Sequence, residues 1–225
     1  MKTKILIPLL SLLFFSSCIV KSLQPFYTTD TISFERSFVG NWKDKANGEW
    51  SVVAFKDSIE PGEKIELPDD ISADFKVDLI VQIEGSYLVS YTKDDKPVQF
   101  IAVPFKIGGQ LFLDFSLFLY ENDGANSLAS KHLIETHSVA KLDMLDDDKI
   151  SMKWLDETRL EELFKEDKLK IEHQKTGSLS DSFVLTAKPK ELQAFLKKYM
   201  NSDNQDKWST DVKYTLSRTT DDNPQ

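Results

Sequence analysis

Only one of the 225 residues is a cysteine, Cys18, and it stands at the end of an apolar N-terminal run. A chain of that kind can form no internal disulfide and no thiolate zinc site, so its fold must be held by its core alone. The residues before Cys18 are ordered in a specific way. Lys2 and Lys4 form a short basic stretch, Ile5 to Phe15 an apolar run, and Ser16-Ser17 a small-residue close. Charge, apolar run and small residues in that order make an export signal. The run is too short for a permanent membrane helix, which takes about 20 apolar residues.

Phe15-Ser16-Ser17-Cys18 resembles the cleavage site of a bacterial lipoprotein signal. Phe15 departs from the Leu, Val or Ile usual at its position, a departure that Bacteroidetes-type bacteria tolerate. The resemblance implies that residues 1–17 are a signal peptide and that Cys18 is cleaved at its N-side and acylated, so that the partner at this end is a membrane. Ile19, in place of Asp, lacks the inner-membrane retention signal of enteric bacteria, which favours the outer membrane. Without residues 1–17 the chain keeps 26 basic and 37 acidic residues, a formal charge of −11. A charge of that sign argues against nucleic-acid binding and against a polybasic membrane-surface role.

From Ile19 to about residue 30 there is no sustained periodicity, and Pro25 interrupts it, which predicts a lipidated tether over 18–30. A single domain over 31–218 and a disordered tail over 219–225 are expected after it. Strand signals dominate the domain. Trp50 to Phe55 follows an Asn47-Gly48 turn. Phe75, Val77, Leu79, Val81 and Ile83 alternate with mostly polar residues, predicting a strand that turns at Glu84-Gly85-Ser86 into Tyr87 to Thr92. Asp94-Asp95 and Asp146-Asp147-Asp148 mark further turns, and Gly108-Gly109 divides Val98 to Tyr120 into two core strands. Pro104 cannot donate to a ladder and is expected at a bulge or edge.

A polar loop is expected over Glu121 to Ser130 and a β-like run over His132 to Met144. Helix signals come late. Asp156 is placed to cap a helix with Leu160, Leu163 and Phe164, and Pro189 opens one with Leu192, Phe195, Leu196 and Tyr199 on one face. A final strand is expected over Asp211 to Arg218. The fold class is therefore mainly β with minor α: an antiparallel barrel or strongly curled sheet with two helices in the C-terminal half.

Gly40-Asn41-Trp42 is similar to the Gly-x-Trp that opens the first strand of lipocalins, and Arg218 is placed to be the C-terminal arginine that lies over the Trp ring there. A wider set of residues resembles a group of Bacteroidetes-type lipoproteins with no established activity. It comprises Phe38 to Trp42, Gly48-Glu49-Trp50, Leu111 to Asp114, His137, Trp154-Leu155, and Leu185-Thr186-Ala187 before Glu191 to Phe195. The resemblance spans about residues 30–200. It implies a lipocalin-like export domain and supplies no chemistry.

The chemical candidates are few. His132, His137 and His173 are the only histidines, and residues five apart on a strand face opposite ways, so no metal site is expected; a buried, hydrogen-bonded His137 is the more interesting structural reading. The Asp146 to Glu157 spacing fits a calcium loop at its first, third and twelfth positions, but Ile150 and Ser151 occupy its fifth and sixth, so it reads as a solvated turn. No Gly-x-Ser-x-Gly, Ser-x-x-Lys, His-Glu-x-x-His or phosphate-binding glycine loop occurs. Asp114 and Glu135 are a carboxylate pair that nothing local marks, Asp114 reading as exposed at a strand end or as buried beside Lys or Arg. Trp50, Phe100, Phe105, Phe112 and Phe115 line an apolar pocket or, on the plainer reading, fill the core. The expected role is a non-enzymatic, lipid-anchored envelope module that uses no cofactor and meets an envelope protein partner. The alternative is a carrier holding an apolar small molecule or lipid in the barrel.

Overall fold

The computed structural model describes residues 19–59, 72–118, 133–176, 182–203 and 207–219. Its centre is a closed antiparallel barrel of eight strands: β2 (Gly40–Asp44), β3 (Glu49–Ala54), β4 (Tyr87–Lys93), β5 (Lys96–Ile107), β6 (Gln110–Leu117), β7 (His137–Asp146), β8 (Lys149–Trp154) and β11 (Lys213–Arg218). Neighbours in sequence are neighbours in the sheet, and β11 closes the ring by pairing with both β8 and β2. This is the up-and-down topology that the lipocalin resemblance implies. Three short strands extend the sheet: β1 (Lys21–Ser22), β9 (His173–Lys175) and β10 (Phe183–Leu185).

The hairpins form where turn chemistry allows. Gly108 and Gly109 have φ of 57° and 84°, and Asp94 and Asp95 of 50° and 58°, the left-handed pairs that a two-residue hairpin needs. At the β2–β3 turn, Asn47 has φ of 63°, and the Asp44 carboxylate accepts from the amides of Ala46 and Gly48 and from Trp50 Nε1. Pro104 lies past the last β4 pair, Tyr87 with Ala102, on the free edge of β5. The N-terminal segment covers that edge: Ser33 N–H donates to the Pro104 carbonyl, and Ile32 bridges to Phe105.

Period two divides the side chains between two cores. Inside the barrel are Trp42, Trp50, Val52, Tyr87, Val89, Leu113, Phe115, Leu142, Ile150, Met152, Trp154 and Leu216. A second core covers the outside of β5, β6 and β7, where Val103, Phe105, Phe112 and Val139 meet Val20, Phe26 and Tyr27 and the late helices. Those helices are α2 (Glu157–Lys165), whose cap Asp156 accepts from the Arg159 amide, and α3 (Pro189–Met200), with Leu192, Phe195, Leu196 and Tyr199 on its buried face.

Two expectations are corrected. The segment predicted as an alternating strand is helix α1 (Ala73–Glu84), a third helix that lies outside the C-terminal half. Both edges of β4 are taken by β3 and β5, so a strand at 75–84 would find no ladder there, whereas a helix satisfies its own backbone. Gly85 follows its last turn, with its amide donating to the Val81 carbonyl, and is not a hairpin residue. The segment predicted as a tether belongs to the fold. Val20, Ser22 and Phe26 are at most 1 % exposed, β1 lies between β7 and β10, and Val20 N–H donates to the Leu155 carbonyl. The strand expected over His132 to Met144 is His137–Asp146, and the loop expected over 121–130 lies outside the described residues, as does the tail after Thr219.

A Cβ added at Gly48 would stand 2.5 Å from both Asp44 Oδ2 and the Tyr91 ring. Gly48→Ala is therefore expected to cost about 1–3 kcal/mol, read as a melting temperature several degrees below wild type by circular dichroism.

Candidate functional site

The lumen is the first place to look for a ligand, and side chains fill it. Phe100, Phe115, Trp154, Tyr214, Trp50 and Tyr91 form a chain of ring contacts with centroid spacings of 5.8, 5.1, 5.8, 4.9 and 4.3 Å. Trp50, Phe100 and Phe115 point inward, while Phe105 and Phe112, which stack at 5.5 Å, point outward beneath the N-terminal segment and Trp208. The five aromatics grouped in the sequence reading thus belong to two cores on opposite faces of one sheet and share no pocket.

The expected trio meets where β2 begins and β11 ends. Gly40 has φ of 132° and begins β2, Trp42 is buried with its Nε1 donating to the Phe38 carbonyl, and Arg218 Cζ lies 4.1 Å from the Trp42 ring centroid. Arg218 also donates to the carbonyls of Val39 and Ser37 at 3.1 and 2.8 Å. The 3-10 turn over Arg36–Phe38 is fastened to the strand behind it by these bonds, and the cation over the indole contributes about 1 kcal/mol. These contacts tie the 3-10 turn, β2 and β11 together.

The polar group that stands out lies on the outer face, where Asp114 is 1 % exposed on β6. Its two oxygens have separate partners. Oδ2 accepts from the Phe26 amide at 2.7 Å, and Oδ1 faces His137 Nδ1 at 2.7 Å. Asp114 is therefore buried beside a histidine, in place of the exposed position or the Lys or Arg pairing expected from sequence. Burial opposes the charged form of His137, but the hydrogen bond and the charge of Asp114, with a smaller contribution from Glu135, outweigh it and raise its pKa. Tyr27 beside this group is pushed well above the ordinary phenol range by burial and by the same two carboxylates.

Asp114 thus clasps residues 26 and 137, which are 111 positions apart, through one carboxylate. Among the described residues no hydroxyl hydrogen-bonds to His137, whose one side-chain partner there is Asp114. His173 is exposed with its Nδ1 against the Ile171 carbonyl, and His132 lies outside the described residues, as does Cys18. Among the described residues no three His, Cys, Asp or Glu side chains gather as a metal site would require.

A groove of about 1360 Å³ opens outside the barrel between α2, the 166–172 connection and α3. Its floor is Leu163, Leu169, Ile171, Ala187, Phe195 and Tyr199, and its rim mixes Arg159, Lys168, Lys170 and Lys198 with Glu166, Asp167, Glu172, Glu191 and Asp203. Lys168 pairs with Glu166 and Lys170 with Asp167, so the rim presents no single sign of charge.

No protein-family model matches the chain, and no curated protein or solved structure shows significant similarity to it.

The raised His137 pKa gives a signed expectation. Protonated His137 is stabilised by the fold, so this contribution is complete below the ordinary histidine value of about 6.5 and is lost as pH rises through the raised value. Thermal melts between pH 6 and pH 9 should show the wild type losing more stability than His137→Gln; parallel curves would contradict the assignment. Asp114→Ala, which strands the Phe26 amide and Nδ1 in a buried site, should cost about 2–4 kcal/mol in a denaturant titration.

Proposed function

We propose that this chain is a lipid-anchored envelope protein whose filled β-barrel acts as a non-enzymatic interaction or structural module. The observation that carries the reading is the junction at Cys18. Everything before it has the order of an export signal, and Ile19, the next residue, bridges to Asp156. Two or three acyl chains, each buried CH₂ contributing about 0.8 kcal/mol, would hold such a domain stably on a bilayer. Among the described residues no helix is long and apolar enough to cross a membrane. The absence of Asp after Cys18 favours the outer membrane.

The second reading is a carrier for an apolar molecule. The barrel topology is compatible with it, but a ligand in the lumen would have to displace side chains such as Phe115 and Trp154. The groove between α2 and α3 offers room without that rearrangement.

Cys18→Ala, expressed in a bacterium that acylates lipoproteins, is expected to move from the membrane pellet to the soluble fraction and to lose the acyl mass of the wild type. A variant that stays in the pellet would contradict the anchor.

A further inference from the structure

The outer wall of β7, β8 and β11 carries a feature that neither the core nor the closure of the barrel explains. Lys153 on β8 is directly opposite Lys141 on β7 and directly opposite Lys213 on β11. All three are the outward partners of inward residues: Leu142, Met152, Trp154 and Tyr214 beside them belong to the inner core. Three lysines therefore stand in one row across adjacent strands, an arrangement of like charges that destabilises a sheet. Lys141 is neutralised by Asp143 at 2.8 Å. Lys153 and Lys213 form no ion pair among the described residues. The next outward row is Asp143 on β7, the buried Ser151 on β8 and Thr215 on β11, so the positive character of this wall rests on Lys153 and Lys213.

Residues 19–22 lie beside this row. Ile19 bridges to Asp156, three residues beyond Lys153 and about 10 Å from it at strand rise. Val20 N–H donates to the Leu155 carbonyl, and Val20 and Ser22 are buried, so no loose residues separate position 19 from the wall. Exposed Lys21 adds a further cation at this end. The net charge of −11 repels anionic surfaces at long range, but within a screening length of about 8 Å the local row decides.

We propose that the β7–β8–β11 wall, through Lys153 and Lys213, rests on anionic lipid headgroups, and that residues 19–22 hold it there with no flexible spacer. This rests on the reading that Cys18 is acylated. The anchor gives proximity, and the lysines give one preferred face, so the domain lies on the bilayer in a fixed orientation.

The test uses the lipidated full chain in vesicles of phosphatidylcholine alone and of phosphatidylcholine with phosphatidylglycerol, treated with a water-soluble amine-acylating reagent and mapped by mass spectrometry. Lys153 and Lys213 should label at least threefold more slowly in the phosphatidylglycerol vesicles, while Lys43 and Lys96 label equally in both. Equal labelling of Lys153 and Lys213 in the two vesicles overturns the proposal. If no acyl mass is found on Cys18, the anchor reading fails separately, and the surface is then judged on the Cys18→Ala chain by sedimentation with phosphatidylglycerol vesicles. Binding that falls at least tenfold in Lys153→Glu/Lys213→Glu supports the wall, at about fivefold per lysine near such a surface. No binding, binding unchanged by the substitutions, or equal protection by a soluble acidic protein without vesicles overturns it.

Discussion

Closure of the ring by β11 is the constraint on which the other features depend. Pairing with β2 on one edge and β8 on the other leaves no strand of the barrel without two neighbours, so each strand must have one face in the lumen and one outside. Aromatic and aliphatic side chains fill the lumen. The outer face then has two sectors. Around β5, β6 and β7 it is apolar, through Val103, Phe105, Phe112 and Val139, and must be covered; along β8 and β11 it is polar, with Lys153, Lys213 and Thr215. The late helices do not complete the cover alone, and the N-terminal segment supplies the rest with Val20, Phe26 and Tyr27. That need draws residues 19–33 into the fold.

The Asp114 clasp follows from the same geometry. A carboxylate facing outward on β6 would ordinarily be wet, but the cover over this sector buries it, and an unpaired buried charge is costly. The Phe26 amide and His137 meet that cost, so one residue holds together the covering segment, the barrel strand and the neighbouring strand. A covalent anchor at the adjacent residue would pull on this clasp and on β1, with no slack chain between.

Local chemistry was readable from the sequence where it was decisive. Gly108-Gly109, Asp94-Asp95, the Asp156 cap and Pro189 are each dictated by one or two residues, and each is where it was expected. The Trp42 and Arg218 pair was readable because both ends of the contact carry rare residue types in recognisable places. What escaped depends on partners distant in the chain. Residues 75–84 alternate as a strand would, yet no free ladder edge awaits them; residues 19–30 lack periodicity because their cover is irregular; and Asp114 had no local mark because its partners are Phe26 and His137. The single usable signal was an acid within the apolar run Leu111 to Leu117, which asks where its charge is met.

The most direct measurement is amide hydrogen exchange on the purified lipidated chain, read at Val20, Leu23 and Phe26. A segment that belongs to the barrel's cover should protect these amides to a degree comparable with those of β6 and β7, with protection at Phe26 falling selectively in Asp114→Asn. Exchange of all three at the rate of an unstructured chain, with the barrel strands still protected, would show a loose tether and contradict the integral N-terminal segment.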